Sequence, residues 1–461
     1  MEKTKSNKLS FIILGLVLVA VFVGYFCYTG PVLVADSGQY IALHVRREPL
    51  YSLFLLLFRT LFGENYYIVG LIQCLLAVGA ILGFTAFVTR IFKFNTFGIF
   101  ICALIQVVPY FMSVLFTRSR VYMPATIMCE GIVMPLFTFS VYALLRFIYE
   151  PSVKTGIFSA VVLFVLGLGR AQMQCMYVIW ILVAFVHLWR AFGNKGIKAL
   201  MLRVAGSVLI IALAFPARTL LVKTYNYIFS GYFVNTTFSS CILLTNFMYA
   251  CDESAGENIE DDLDRQLFYE IYRACDEAGY NYKHAEGMSI KERAEHAENA
   301  HDRIKFDYID DILYHYYDVN VSPEYIPRNL WEDEVASQIT KAIMPSTLKQ
   351  WVTDYFLLFY KGLIRTILID KSILSYAALL IYLGVFILLG VFTFKKELRV
   401  KYSRELIALA VAVLINLAFA SSTALVIMCL SRYMMYGFML FYISLYALTR
   451  KILYCIRHGG G

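Results

Sequence analysis

Charged side chains are scarce in this chain. Only 16% of its 461 residues are Asp, Glu, Lys or Arg, whereas soluble domains average about 25%. Hydrophobic residues make up 60%, and the mean hydropathy is +0.65. This composition excludes an ordinary soluble domain and predicts an integral membrane protein.

The ten cysteines also lack a metal-binding pattern. No Cys-x-x-Cys pair occurs, and the six cysteines in long apolar stretches are most simply small hydrophobic residues. Cys241, Cys251 and Cys275 lie in a polar segment, where one disulfide is possible. The spacing therefore gives no indication of a thiolate metal site.

Acidic residues are absent from most of the chain and concentrated in one segment. Residues 222–371 contain 25 of the 33 acidic residues and 14 basic ones, a net charge near −11, and the remainder is near +19. No basic patch lies in this polar segment, which excludes nucleic-acid binding. The chain therefore consists of a basic membrane part and an acidic, water-exposed part.

Long apolar stretches account for the membrane part, because a helix needs about 20 apolar residues to cross the hydrocarbon. The ten predicted spans are 10–29, 66–91, 97–116, 122–148, 155–169, 172–190, 203–221, 372–394, 404–428 and 432–453. Residues 50–63 would form a helix of only about 21 Å, against about 30 Å of hydrocarbon. We predict that this helix lies on the outer membrane surface or re-enters it.

Lysine and arginine in the short connections predict the orientation. Ten spans place six basic clusters, 19 residues in all, on the cytoplasmic side together with both termini. The predicted protein is an all-α, multi-pass protein of the plasma membrane. Its predicted parts are a module of seven spans (1–221, with the first outer loop at 30–65), an extracytoplasmic and mostly helical domain (222–371), and a module of three spans (372–461).

The acidic segment shows helical periodicity. Apolar residues between Ile259 and Cys275 fall on one helix face, and those between Ile309 and Tyr317 do the same. Residues 283–303 are charged and poor in apolar side chains, which predicts an exposed helix or a mobile loop. Residues 351–366 are amphipathic, and we predict that they lie on the membrane surface before the next span.

Arginine is the basic residue of the predicted outer face, and lysine is missing from its short loops and helix ends. A guanidinium presents a rigid fork to phosphate, which an ammonium does not. A phosphate site would explain this bias, whereas lipid headgroup contacts are the alternative for any single arginine. The eight outer arginines are Arg46, Arg47, Arg59, Arg118, Arg120, Arg170, Arg218 and Arg432.

Three isolated acids lie on the same predicted face. Asp36 follows the first span, Glu48 precedes Pro49, and Glu130 lies near the outer start of a span. A carboxylate beside a cationic phosphate site suggests a base next to a leaving group. The alternatives are a helix cap for Asp36 and a structural ion pair for Glu130 with one of the arginines of the 116–124 loop.

The order of these features resembles the GT-C glycosyltransferases, multi-span enzymes that take a sugar from a polyprenyl-phosphate donor. The resemblance covers roughly residues 10–190 and 430–450 and is one of placement more than of identity. It is carried by Asp36-Ser-Gly-Gln-Tyr40, Glu48-Pro-Leu-Tyr51 opening an outer helix, Cys129-Glu130-Gly131, Gly169-Arg170 and Arg432-Tyr433.

The resemblance implies a role for each of these residues. Asp36 matches the general base that deprotonates the acceptor, and Arg432 and Arg170 match cations near the donor phosphate. Arg118 and Arg120 are further phosphate-binding candidates, since the loop that carries them has arginines where the oligosaccharyltransferase branch has paired acids. This difference favours the metal-independent branches, which act like protein mannosyltransferases or aminoarabinose transferases.

Glu130, Glu48, Tyr40 and Tyr433 are the predicted supporting residues of this site. The implied partners are a polyprenyl-phosphate-linked sugar, membrane lipid, and a glycan, lipid or protein acceptor, with no cofactor required. Two other classes remain open, a transporter or flippase of a lipid-linked glycan and a receptor or scaffold. Transporters place ionisable residues near the bilayer midplane, whereas here the charges lie at the outer ends of the spans.

Overall fold

The computed structural model describes residues 2–116, 122–192, 197–237, 239–368 and 372–458. Helices make up 84% of the structure, and these ranges contain no β-strand. The helices are α1 (Glu2–Thr29), α2 (Ser37–Ile41), α3 (Pro49–Phe62), α4 (Tyr66–Phe92), α5 (Thr96–Phe116), α6 (Glu130–Tyr149), α7 (Val153–Gly169), α8 (Cys175–Phe192), α9 (Ile197–Ser230), α10 (Ser239–Ala250), α11 (Asp262–Glu277), α12 (Ile290–Arg303), α13 (Asp310–Asn320), α14 (Tyr325–Arg365), α15 (Ser372–Phe394), α16 (Lys396–Lys401), α17 (Ser403–Ala424), α18 (Ser431–Met434) and α19 (Phe438–Arg457).

Within these ranges, eight helical segments are long and apolar enough to cross a membrane. They are Lys8–Thr29, Tyr66–Phe92, Glu130–Tyr149, Ala171–Trp189, Val208–Ser230, Leu374–Phe394, Ser403–Ala424 and Ser431–Arg457. Three shorter apolar helices are Pro49–Phe62, Thr96–Met112 and Val153–Gly169. The eight segments and the last two short helices correspond to the ten predicted spans, and how many of them cross stays a prediction.

The predicted span 122–148 begins too early. Its helix, α6, starts at Glu130, and residues 122–129 hold only a short 3₁₀ turn, Met123–Ala125. These residues are apolar enough to resemble a helix start, but Pro124 and hydrogen bonds to another loop keep them extended. The polar site described below depends on this extended segment.

The described chain divides into two compact units, and each is treated by itself. The first unit contains Met1–Phe233, Thr366–Ala418 and Met435–Gly461, and the second contains Val234–Arg365 and Phe419–Met434. In the first unit α4 packs against α1, α5 and α6, and α7 packs against α6, α8 and α9. Helices suit such apolar segments because each satisfies its own backbone hydrogen bonds without water.

The second unit is a bundle of α10 to α14 around an apolar core. Its longest helix, α14, packs against α10, α11, α12 and α13. The predicted apolar face between Ile259 and Cys275 is confirmed, since Leu267, Phe268 and Ile271 of α11 are fully buried. The segment 283–303 is not a mobile loop, because α12 occupies most of it and buries a face of alanines.

Cys241, Cys251 and Cys275 are buried in the second unit as free thiols, and no cysteine of the described chain forms a disulfide. The amphipathic stretch predicted at 351–366 is the C-terminal part of α14. A proline at position 345 lies within that helix.

Candidate functional site

The loop that follows α1 is joined to the extended segment that precedes α6. The backbone N–H of Val32 donates to the carbonyl of Ala125 at 2.8 Å, and that of Ile127 donates to the carbonyl of Val32 at 2.9 Å. The Ser37 hydroxyl donates to the carbonyl of Ile127 at 2.7 Å. These bonds hold the segment carrying Asp36 beside the segment that leads into α6.

A buried glutamine in α4 makes a second connection. Gln73 donates from Nε2 to the carbonyls of Pro124 and Thr126 at 2.8 and 3.0 Å, and its Oε1 accepts from the Tyr51 hydroxyl at 2.8 Å. A Cβ atom at Gly131 would lie 2.4 Å from the Gln73 side chain. Gly131 is therefore required for α6 to approach α4 this closely.

Asp36 forms an accessible ion pair with Arg47. The two side chains meet at 2.7 Å between Arg47 Nη2 and Asp36 Oδ1, and Arg47 Nε donates to Gln39 Oε1 at 2.6 Å. The guanidinium also lies 5.2 Å from the ring centroid of Tyr40. Asp36 occupies the N-cap position of α2 but makes no side-chain cap bond. The helix-cap alternative for Asp36 is therefore wrong, and 28% of its side chain remains exposed.

Glu130 forms a buried ion pair with Arg170. Glu130 is the first residue of α6 and only 1% exposed, Arg170 follows the end of α7, and Arg170 Nη1 lies 2.5 Å from Glu130 Oε1. The helix N-terminus favours a carboxylate at this position. Tyr436 is a third member of the group, beside both charges. The alternative reading of Glu130, a structural ion pair with Arg118 or Arg120, falls on residues outside the described ones, and the partner seen here is the residue that follows α7.

Glu48 forms a third ion pair, with Arg218 of α9. Arg218 is 5% exposed, and its Nε donates to the carbonyl of Gly167 at 3.0 Å. Arg218 lies in a candidate membrane span, where a charge is costly unless it is paired. Glu48 supplies that partner from the residue before α3.

The loop between α2 and α3 also contains a buried histidine. Burial lowers the pKa of His44 to about 4, and the charges of Arg46 and Arg47 act in the same direction. The backbone N–H of Arg46 donates to His44 Nδ1 at 3.2 Å. His44 is therefore neutral near pH 7 and accepts a hydrogen bond within the loop.

An apolar groove lies between four helices of the first unit. Its volume is about 630 Å³, and its walls are Leu50, Phe54, Ile72, Leu75, Leu76, Gly79, Ala80, Ile132, Pro135, Leu136, Phe139 and Val165 from α3, α4, α6 and α7. A Cβ atom on Gly169 would lie 2.8 Å from Val133 and 3.2 Å from Leu50, so α3 and α6 both approach α7 at the residue before Arg170. The groove wall therefore includes Leu50, which meets the residue before Arg170, and Ile132, which lies two residues after Glu130.

Arg432 and Tyr433 belong to the second unit. Arg432 Nη2 donates to the Tyr433 hydroxyl at 2.8 Å, and the guanidinium lies 4.9 Å from that ring centroid. Nearby in the chain, the carbonyl of Cys429 accepts from Arg365, which also binds Glu298 with two hydrogen bonds of 2.6 and 2.9 Å. This part of the second unit thus carries arginines in defined geometry.

The structure brings five of the predicted residues into the first unit's loop region, namely Asp36, Tyr40, Glu48, Glu130 and Arg170. Arg118 and Arg120 lie outside the described residues. Sequence reasoning counted Arg47 and Arg218 among the outer arginines without assigning them partners. It missed Gln73. A glutamine in the middle of a predicted apolar span is itself a sign that the side chain has a specific polar partner.

No group of three or more His, Cys, Asp and Glu side chains in the described ranges is placed to hold a metal ion. The preference for a metal-independent site stays a prediction. No known protein family, curated protein or solved structure matches this chain.

Proposed function

We propose that the protein is an inverting glycosyltransferase that moves a sugar from a polyprenyl-phosphate donor to an acceptor on the outer side of the plasma membrane. The observation that carries the proposal is the pairing of an apolar groove with charged residues at its side. Leu50 lines the groove and meets the residue before Arg170. Ile132 lines it as well and lies two residues after Glu130, the ion-pair partner of Arg170. A lipid phosphate needs both features, an apolar surface for its chain and a cation for its headgroup.

Asp36 is the proposed general base because it is the accessible acid of the three. Its side chain is 28% exposed, whereas Glu130 is 1% exposed and Glu48 is 12% exposed. Arg47 contacts Asp36 and Gln39 and so fixes the direction of the carboxylate. A base has to reach the proton that it removes, and the two more deeply buried acids serve better to hold their arginines.

In the proposed reaction the acceptor oxygen attacks the anomeric carbon while Asp36 takes its proton. The new carbon–oxygen bond forms as the bond between the anomeric carbon and the phosphate oxygen breaks on the opposite face, which inverts the configuration. Arg170 is the proposed cation for the leaving phosphate, since a preorganised cation in a dry site stabilises such charge strongly. Arg432, which belongs to the second unit, stays a candidate for this role from the sequence alone. Arg118 and Arg120 remain candidates for the same role.

Glu130, Glu48, Tyr40 and Tyr433 have supporting roles in this proposal. Glu130 and Glu48 orient arginines, and the ring of Tyr40 packs at right angles to that of Tyr51, 5.1 Å away. Tyr433 holds the guanidinium of Arg432 through its hydroxyl. The scheme uses a lipid-linked sugar donor and needs no cofactor.

The test is sugar transfer by the purified protein in liposomes that contain a radiolabelled polyprenyl-phosphate sugar. Asp36→Asn should bind the donor and transfer sugar about 10²–10⁴ times more slowly, because it removes the base and keeps the shape. Glu64→Gln is the matched control, since Glu64 is an exposed acid of the same outer region. It should transfer sugar at the wild-type rate.

A flippase of lipid-linked glycans would use the same groove and cations, and the same liposomes separate the two functions. A flippase would move the intact labelled lipid between leaflets without breaking its sugar–phosphate bond. Lipid movement without transfer, unchanged in Asp36→Asn, would show that the protein is a flippase and that the transferase proposal is wrong.

A further inference from the structure

A small cavity lies where three helices of the second unit meet. Its walls are Thr245, Asn246 and Tyr249 of α10, Ala297 and His301 of α12, Trp351, Asp354, Tyr355 and Leu358 of α14, and Ala424. The residues from α14 follow the i, i+3, i+4, i+7 spacing of a single helix face. The cavity measures about 20 Å³ as the space open to the centre of a water molecule, and one water needs about 10–15 Å³ by that measure. The enclosed part therefore takes a single water-sized group.

Three polar side chains in the cavity wall are buried with hydrogen-bonding atoms left over. Asn246, His301 and Asp354 are 9%, 3% and 6% exposed. Asn246 Nδ2, His301 Nε2 and Asp354 Oδ2 have no hydrogen-bond partner among the residues that the structure describes, and His301 Nδ1 lies 3.6 Å from Asp302 Oδ1 in an ion pair. Leaving such a buried group unpaired destabilises the folded protein. Three of them in one wall indicate that the cavity is built to receive a polar group.

The mixture of donors and acceptors identifies that group. The Asn246 amide nitrogen can only donate, an imidazole nitrogen of His301 can donate or accept, and Asp354 Oδ2 accepts when ionised and donates when protonated. A cation would satisfy the acceptors and be repelled by the amide, and an anion would do the reverse. A hydroxyl group donates one hydrogen bond and accepts others, so it matches the whole set.

Aromatic rings form a platform on one side of the cavity. The ring of Trp351 stacks on Phe247 with centroids 5.4 Å apart and an interplanar angle of 6°, and Tyr355 continues the stack at 6.3 Å. Trp351 and Tyr355 are only half-buried. The Tyr355 hydroxyl is held by Ser421 at 2.9 Å. A flat, rigid aromatic surface beside hydroxyl-binding groups is suited to a sugar ring, which has apolar C–H faces and polar edges.

We propose that this cavity is a carbohydrate-binding subsite, in which one sugar hydroxyl enters between Asn246, His301 and Asp354 while the ring rests on Trp351 and Tyr355. A hydroxyl group fits the water-sized space. The rest of the sugar would remain outside the cavity, against the half-buried rings of Trp351 and Tyr355. The subsite shares no residue with the site proposed around Asp36 and does not depend on the proposed sugar transfer. If that transfer occurs, the subsite would hold a glycan acceptor.

The test is binding of methyl glycosides to the purified full-length protein in lipid nanodiscs. Methyl glycosides of glucose, mannose, galactose and N-acetylglucosamine are titrated by calorimetry, with glycerol as a probe that has hydroxyls and no ring. We expect saturable binding of at least one glycoside and none of glycerol. Asn246→Leu and Trp351→Leu should each weaken it about tenfold, the equivalent of roughly 1.4 kcal/mol for one lost contact. Trp331→Phe is the control, because Trp331 lies in the same unit against Tyr316 and outside the cavity wall.

A second measurement separates a ligand site from a structural water site. Asn246→Leu removes an unpaired amide and keeps the volume, so the unliganded variant should melt at the wild-type temperature or above it. A structural water bound by the amide would give the opposite result, a lower melting temperature and no glycoside binding in any variant. Asp36→Asn should bind the glycoside as the wild type does, so a failed transferase proposal leaves this result unaffected.

Two outcomes would overturn the proposal. One is the absence of saturable binding for every glycoside tested, and the other is binding that both Asn246→Leu and Trp351→Leu leave unchanged. The second outcome would place the sugar elsewhere on the protein.

Discussion

Asp36, Glu48 and Glu130 each engage an arginine, and the choice of arginine has a geometric reason. A guanidinium has five N–H donors in one plane, so it can hold a carboxylate on one edge and present others to a second anion. Arg47 already donates to two acceptors at once, the Asp36 carboxylate and the Gln39 amide oxygen. An ammonium would provide the charge without the fixed directions. The lack of lysine in these loops therefore fits a site that needs orientation as well as charge.

Arg432 is the arginine whose replacement tests this requirement best. Arg432→Lys keeps the charge and loses the fork, so donor use should fall by about 1–3 kcal/mol if a charge-assisted hydrogen bond to phosphate is lost. The measurement is kcat/KM for the polyprenyl-phosphate donor. Arg399→Lys is the control, because Arg399 lies in α16 among the residues predicted to face the cytoplasm. Unchanged donor use in both Arg432→Lys and Arg432→Ala would make this arginine a lipid or topology residue.

Asp354 gives a prediction about pH. Burial raises its pKa to about 7, although the hydrogen bond from Gln350 and the charge of Arg293 act against the rise. Tyr249 and His301 are the other titratable groups lining its cavity. The unfolded carboxyl titrates near pH 3.9, so the unfolded state releases this proton first. Stability contributed by this group therefore falls as pH rises from about 4 to about 7 and is level above that range.

Asp354→Asn should remove this pH dependence. The variant should be more stable than the wild type by roughly 2–4 kcal/mol at pH 8, with a smaller difference at pH 5. Thermal melts at the two pH values measure it. Asp311→Asn, at an exposed acid of α13 in the same unit, is the control and should show no such trend. An Asp354→Asn variant that is equally stabilised at both pH values would contradict the raised pKa.

The residues of the candidate site were largely predictable from the sequence, but their ion-pair partners were not. The isolation of Asp36, Glu48 and Glu130 in apolar surroundings marked all three. Their partners come from 11 to 170 residues away in the chain, and no local pattern relates such distant positions. The cavity of the second unit was missed for the same reason, since its polar side chains come from separate helices.

At the scale of elements, the apolar helices were the most predictable part, because their length and composition are set by the hydrocarbon they would cross. The predicted start of α6 was wrong. An apolar segment that stays extended looks the same in sequence as the first turns of an apolar helix. α12 was read as exposed because it has few large apolar residues. It buries Ala294, Ala297 and Ala300 instead, and small residues let neighbouring helices approach without giving a strong hydrophobic pattern.

The groove formed by α3, α4, α6 and α7 gives a prediction for α4. Gly79 lines the groove, and a Cβ placed on it would meet no atom within 4 Å. Gly79→Phe should therefore fit without strain and occupy space meant for the lipid chain. If it displaces about 60 Å² of apolar contact, the loss is about 1.5 kcal/mol, or about tenfold in KM for a donor with a long polyprenyl chain. A donor with only two isoprene units should be used as by the wild type.

Gly83 provides the matched control on the same helix. It is also open, with no atom within 4 Å of a Cβ, but it does not line the groove. Gly83→Phe should leave KM unchanged for both donors. An equal effect of the two substitutions, or an equal effect of Gly79→Phe on long and short donors, would show that the groove does not hold the lipid chain.

The separation of charge between residues 222–371 and the rest of the chain has a physical basis. Residues 222–371 are near −11 and the rest of the chain is near +19, and basic residues are retained on the cytoplasmic side of membrane proteins. An acidic and mostly helical second unit on the outer side is consistent with both numbers. The proposed site requires that arrangement, because a lipid-linked sugar used for an envelope acceptor has to be met on the outer side.

Cysteine labelling tests this topology directly. Asn299 of α12 is exposed, and so is Lys396 in the connection predicted to face the cytoplasm. Cys27, Cys175 and Cys455 are replaced by serine, since the other seven native cysteines are buried. In intact cells Asn299→Cys should react with a membrane-impermeant maleimide, and Lys396→Cys should react only after lysis. Both substitutions are at solvent-exposed helix positions, so differences in reactivity report the side of the membrane. Labelling of position 396 in intact cells, with position 299 protected until lysis, would put the second unit in the cytoplasm and leave Asp36 on the side where the proposed chemistry has no acceptor.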